Sequence, residues 1–313
     1  MAMNFWEAQR KARARTTFYL IMFTIMTIAV AVAGEYFLRS FADEGYQTSY
    51  PLFGLSFLVI TFGVAAYNYC MYRSFGGGYV AQSVGARPAD PDSLDPRERQ
   101  LLNIVGEVAV ATTLPMPGVY IIPSHEINAF AAGTTPKNAA IAVTQGALEK
   151  LNRDELQGVV AHEFGHIANA DMVLNLRLAA MVMGFYIIVF LGIRLIQATR
   201  FRSRNDSSKN GNSVLLIAVA LLVAGAVTWV VGKVLQAMVS RQREYLADAS
   251  AVQYTRNPDG IANALRKIGK DQERDMPVTG KAYAHMYFED HSSLFATHPP
   301  LSKRIAAIEG REV

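Results

Sequence analysis

Residues 161–166 read Ala161-His162-Glu163-Phe164-Gly165-His166, two histidines four positions apart with an acid directly after the first. On a helix such positions share one face, so both imidazoles can point at one metal ion. Glu163 lies about 100° further round, within reach of a water at that metal without being a ligand itself. Chance places this pattern in about one chain of this length and composition in 200. The flanks predict the helix it needs. Asn152-Arg153-Asp154-Glu155 resembles a capping box, and Leu156, Val159, Val160, Phe164 and Ile167 follow at helical spacing.

A catalytic site of this kind takes three protein ligands and keeps a fourth position open, and two histidines with one glutamate are an established zinc set. Downstream, Ser240-Arg241-Gln242-Arg243-Glu244-Tyr245-Leu246-Ala247-Asp248-Ala249-Ser250-Ala251 reads as a helix with Glu244 and Asp248 four apart. Glu244 is the candidate third ligand, completing a site for one Zn²⁺ per chain. Asp248, one turn on, can accept a hydrogen bond from the far nitrogen of a ligand histidine and fix its tautomer. Taken without the first motif, the same acids would read as a solvated face with Arg241 and Arg243 as surface partners. A structural zinc site would instead favour four ligands rich in cysteine, and the single cysteine, Cys70, sits inside a hydrophobic run.

Such runs account for the composition. The 313 residues are 51% hydrophobic and 18% charged, with a mean hydropathy of +0.16. Thr16 to Gly34 gives 19 residues without a charge, and Pro51 to Tyr72 gives 22. Each is long enough to cross a hydrocarbon core about 30 Å thick, and two in succession indicate a retained anchor rather than a cleaved signal. Arg10, Lys11, Arg13 and Arg15 precede the first run, while Glu35, Asp43 and Glu44 outnumber Arg39 in the loop after it. The positive-inside rule places the N-terminus, and therefore residues 161–166, in the cytoplasm. Two further runs follow, 16 residues from Leu178 to Ile193 and 19 from Val214 to Gly232. The first is short for a span, and the loop between them carries Arg200, Arg202, Arg204 and Lys209. The pair either crosses the membrane against the charge rule or packs without crossing. Either way the chain returns to the side of the first motif. The net charge of +4 and pI of about 9.1 come largely from these flanking clusters, so no nucleic-acid partner is expected.

Between the anchor and the first motif, residues 73 to 100 read as a connector with a flexible Gly76-Gly77-Gly78. A helix opening at Asp95-Pro96-Arg97-Glu98 comes next, followed by three short β-rich runs: Val119 to Ile122, Ala129 to Ala132 and Ala139 to Val143. The fold class is α+β, mostly α with a small sheet, in a polytopic membrane protein. The expected organisation is a two-helix anchor over residues 1–72 with spans at about 16–34 and 51–72, and a first catalytic segment over 73–177. A hydrophobic hairpin over 178–232 and a second catalytic segment over 233–313 complete it.

In order, the paired N-terminal spans, Ile127-Asn128-Ala129-Phe130-Ala131-Ala132-Gly133, the residue 162–166 motif, the hairpin, the residue 240–248 segment and Thr297-His298-Pro299-Pro300 resemble the HtpX family. These are bacterial integral-membrane zinc metalloproteases related to the eukaryotic CAAX prenyl proteases, and the likeness covers nearly the whole chain. It implies a gluzincin-type endopeptidase of the bacterial inner membrane, working in membrane-protein quality control and the stress response with its active site on the cytoplasmic side. The substrates implied are misfolded or damaged membrane proteins and unfolded polypeptides. Position by position, His162, His166 and Glu244 would bind zinc, and Glu163 would act as general base and acid. Asn128, Ala129, Phe130 and Ala131 would hold substrate, and His298 would sit near the oxyanion.

Chemistry supplies reasons for the last two assignments. A protease with many substrates must grip backbone, and an edge strand of small residues does so by pairing with an extended chain. A donor beside the oxyanion typically contributes about 3 kcal/mol. Tyr283 and Tyr287 rival His298 for that place. A different class of function, a membrane scaffold or adaptor whose zinc is structural or vestigial, would leave Glu163 without a role. Oligomeric state is not deducible from the sequence.

Overall fold

The structure is a computed structural model that describes residues 5–41, 49–202, 210–271 and 299–310. It is mostly helical with one small sheet, and its residues divide into two compact units. One comprises residues 1–12, 70–176 and 236–313, and the other residues 13–69 and 177–235.

The second unit is built from parts of four long helices: α1 (Phe5–Phe41), α2 (Leu52–Ser83), α6 (Asp171–Arg202) and α7 (Asn210–Thr255). Each contains a stretch long and apolar enough to cross a membrane: Leu20–Ser40, Leu52–Ser83, Asp171–Ala198 and Val214–Val234. The third is longer than its short charge-free run, because the helix continues beyond both flanking arginines. With no hydrophobic drive between helices in lipid, association depends on close packing, which small residues allow. Gly184 faces the Thr61 carbonyl, Gly192 the backbone of Leu222, and Gly225 the backbone of Val189. Phe23 and Phe185 stack with ring centroids 5.0 Å apart. Outward positions such as Ile25, Val32, Val59 and Val223 stay exposed, the arrangement expected of a lipid-facing surface.

In the first unit a four-stranded sheet runs in the order β1-β2-β4-β3. Its strands are β1 (Arg87–Pro88), β2 (Gly118–Ile122), β3 (Ala129–Ala132) and β4 (Ala140–Thr144). β2 pairs parallel with β4, whereas β3 folds back antiparallel to β4 and ends the sheet. Helix α3 (Pro96–Thr112) is capped by Asp95, which accepts from the Arg97 amide, with Pro96 at its first turn. After the short helix α4 (Gln145–Lys150), helix α5 (Arg153–Ala168) opens on the reciprocal capping box of Asn152 and Glu155. α8 (Pro258–Asp271) crosses α5 where Gly158 and Gly260 permit backbone contact. The core joins Leu101, Ile104 and Val105 of α3, Ile141 and Val143 of β4, Val160 and Phe164 of α5, and Leu265 and Ile268 of α8.

The connector expected from residue 73 departs from this structure. Helix α2 continues to Ser83, with a single non-helical residue at Gly76 (φ 68°). The glycines that suggested flexibility serve close approach instead. A Cβ on Gly77 would stand 2.2 Å from the Ala132 carbonyl oxygen, and one on Gly78 would stand 2.4 Å from the Tyr120 hydroxyl.

Candidate metal centre

Helix α5 presents His162 and His166 from successive turns, their rings 4.8 Å apart and nearly perpendicular. Gly165 between them sets how near α7 can come. A Cβ there would lie 3.1 Å from both Ala247 Cα and Ser250 Cβ. That approach brings Glu244 and Asp248 of α7 against the histidines. His162 Nε2 is 3.6 Å from Glu244 Oε2, and His166 Nε2 is 3.4 Å from Glu244 Oε1.

These separations are long for hydrogen bonds, but they suit a metal. Ligands about 2.05 Å from a tetrahedral ion stand roughly 3.3 Å apart. One donor atom from each of His162, His166 and Glu244 lies within 4.8 Å of the others, the only such group among the described residues.

The far nitrogens fit as well. His162 Nδ1 is 2.9 Å from Asp248 Oδ1, and His166 Nδ1 is 3.0 Å from Asp171 Oδ2. A carboxylate at Nδ1 holds the proton there and leaves the Nε2 lone pair for a metal. Each carboxylate is backed in turn by an arginine. Arg304 of helix α9 (Leu301–Ile308) binds Asp248 through two parallel hydrogen bonds, and Arg243 of α7 pairs with Asp171. Apart from the partly buried His166, all these groups are buried, as is Glu163. Four carboxylates (Glu163, Asp171, Glu244 and Asp248) against two guanidinium groups leave two negative charges in the interior. A divalent cation neutralises that excess.

Electrostatics follows from the pairings. Burial alone would push the Asp248 carboxyl up, but Arg304 and His162 outweigh it and hold Asp248 below its ordinary value. Arg304 is kept above its own ordinary value by Asp248 and Glu244 despite complete burial. Burial pulls His166 down, whereas the neighbouring carboxylates of Glu244 and Glu163 more than offset it, so its pKa is raised. A metal at Nε2 would compete with that proton.

The sequence reading named His162, Glu163, His166, Glu244 and Asp248, and the structure brings them together. Asp171 and Arg304 it did not name, and Arg243 only as a surface partner. Arg243, which could be read as a surface partner, is buried on Asp171. Asp171 left only a faint signal, an acid just past the end of the motif helix. His298 lies outside the described residues, as do Tyr283 and Tyr287. Asn128, Ala129, Phe130 and Ala131 lie at the start of and along edge strand β3, and all are buried. Thr144 donates its amide to the Asn128 carbonyl, so by alternation Ala129 and Ala131 direct their backbone groups away from β4. The Ala129 amide is taken by Asn128 Oδ1 at 2.8 Å.

Residues 95–312 match peptidase family M48. A protease HtpX homologue of Caldanaerobacter subterraneus subsp. tengcongensis is 36% identical over 313 residues, covering 97% of each chain. One of Streptococcus uberis is 33% identical over 299 residues, covering 94% of this chain and 95% of its own. The crystal structure of Ste24p from S. mikatae superposes with a TM-score of 0.41 at 17% identity, covering 98% of this chain and 66% of that one. With a family match over most of its length and HtpX homologues aligned nearly end to end, the chain belongs to peptidase family M48 and is an HtpX-type membrane metallopeptidase.

Proposed function

We propose that the protein is a zinc-dependent endopeptidase of the bacterial plasma membrane that cleaves cytoplasmic segments of misfolded or damaged membrane proteins. The carrying observation is the convergence of His162, His166 and Glu244, with the Nδ1 atom of each histidine held by a buried acid. The donor set favours zinc, since nitrogen with one carboxylate suits a tetrahedral site with an open position. The cytoplasmic face follows from the basic residues before the first span.

A metal bound there supplies Lewis acidity and lowers the pKa of water towards about 7. Glu163 takes the proton of the attacking water and passes it to the departing amine nitrogen. His162 and His166 turn Nδ1 towards Asp248 and Asp171, which directs each Nε2 to the metal position. The outward backbone of β3, chiefly the carbonyls of Ala129 and Ala131 and the amide of Ala131, grips an extended substrate as an added strand. His298 is the proposed donor to the oxyanion.

The test is metal content and cleavage of an unfolded model polypeptide by the detergent-purified chain. Wild type should hold one zinc and cleave. Glu163→Gln should retain zinc and lose cleavage by about 100-fold or more, and Glu244→Ala should lose zinc. Equal turnover by wild type and Glu163→Gln would overturn the mechanism and favour a non-proteolytic scaffold.

A further inference from the structure

We propose that Asp171 and Arg243 form a positioning pair for His166, fixing its ring and tautomer as Asp248 and Arg304 do for His162. This inference rests on the metal-centre reading above.

Asp171 opens α6, where an acid would ordinarily be explained by the free amides of a helix N-terminus. Its surroundings say more. The side chain is almost wholly buried, and its two oxygens are divided, Oδ1 to Arg243 and Oδ2 to His166 Nδ1 at 3.0 Å. A helix continued past His166 would carry residue 171 about 140° round, away from the histidine face. The chain avoids this by ending α5 at Ala168 and passing through Ala170 at φ 58°, a left-handed conformation costly for a residue with a Cβ. The reversal returns Asp171 to a histidine only five positions behind it.

Arg243 contributes from the opposite direction. It directly precedes Glu244 on α7, so the residue beside the proposed third ligand also holds the carboxylate behind the second. The planar guanidinium holds Oδ1 of Asp171 and so fixes the direction in which Oδ2 meets Nδ1. Two chains of contact therefore converge on the three donors, Arg304–Asp248–His162 and Arg243–Asp171–His166. Neither Asp171 nor Arg243 touches the place of the reacting atoms, so both act through His166.

The test uses full-length protein in detergent, with Zn²⁺ affinity from competition with a chromophoric chelator, the visible absorption of the Co²⁺-substituted protein, and the thermal midpoint of the metal-free form. Asp171→Asn preserves shape and removes the charge. It should weaken Zn²⁺ binding about 10- to 100-fold and alter the Co²⁺ bands. Arg243→Gln should weaken it about 10-fold, and the double variant should bind no worse than Asp171→Asn, because Arg243 works through Asp171. A lower thermal midpoint with wild-type affinity and spectrum would overturn the proposal, leaving the pair as a structural link between α6 and α7. If Asp171→Asn is not recovered folded, Arg243→Gln decides alone by the same readouts. Wild-type zinc binding beside unchanged variants would sink this inference only, whereas absence of zinc binding in wild type would sink the metal reading beneath it.

Discussion

Arg304 grips Asp248 across 56 residues of sequence, with Nε to Oδ2 at 2.8 Å and Nη2 to Oδ1 at 2.7 Å, while its Nη1 stands 2.9 Å from Glu244 Oε2. One wholly buried guanidinium thus ties the proposed third ligand to the partner of the first. Removing it leaves two carboxylates in the interior without that countercharge. Arg304→Met should cost about 3–5 kcal/mol of stability. Arg304→Lys, which keeps the charge but loses the fork, should fall between. Chemical denaturation of the metal-loaded protein checks this, and equal midpoints for wild type and Arg304→Met would contradict it.

Gly165 should be intolerant of even one methyl group. Its virtual Cβ sits 3.1 Å from Ala247 Cα and 3.2 Å from the Ala247 carbonyl, and backbone cannot yield as a flexible side chain does. Gly165→Ala should therefore push α7 from α5, costing about 1–3 kcal/mol and weakening metal binding through displaced Glu244. Gly106, in α3 with open space at its Cβ position, supplies the opposite sign. Gly106→Ala should stabilise by about 0.5–1 kcal/mol. Thermal midpoints moving in the same direction for both would refute the packing argument.

The difference between these glycines marks what the sequence could and could not reveal. Capping signals and apolar spacing made α3 and α5 readable, and β-rich runs between turn residues located β2, β3 and β4, because each is a local preference. The motif histidines and Glu244 were readable because metal chemistry restricts residue types. Arg304 and Asp171 were not, since an arginine or an acid is ordinarily a surface residue and only the tertiary fold reveals its burial. Gly76 to Gly78 misled for a related reason. Glycine signals flexibility in isolation, yet here it answers a need for contact with the sheet that the local sequence does not contain.

Glu98 gives the fold an acid-sensitive joint. Its buried carboxylate accepts two hydrogen bonds from Arg87, one from the Asp90 amide and one from the Ser93 hydroxyl. The Arg87 bonds chiefly, opposed by burial and aided by the others, hold its pKa down at about 2. In the unfolded chain the group protonates near its ordinary 4.5, so between those values the unfolded state binds more protons and stability rises with pH. The contribution is complete above about 4.5 and is lost as pH falls towards 2. Glu98→Gln should therefore be less stable than wild type at neutral pH, with the gap closing on acidification through that window. Denaturant midpoints across a pH series measure the gap, and a gap independent of pH would reject this account.

Metal removal should expose the charge excess of the site. Without a divalent cation, four buried carboxylates face two guanidinium groups, so chelation should lower the thermal midpoint and added Zn²⁺ should restore it. The gain should grow with free metal as expected for a ligand bound only by the folded state, reaching about 2.7 kcal/mol at 100 times Kd. Glu244→Gln separates charge relief from ligation. It removes one negative charge from the metal-free site, so in chelator it should be at least as stable as wild type. In Zn²⁺ the order should reverse, because the variant has lost a ligand and gains little from the ion. Thermal midpoints of both proteins, each with chelator and with Zn²⁺, give the four values needed. If Glu244→Gln is destabilised equally in both conditions, its carboxylate is there for packing, and the charge argument for a divalent site fails.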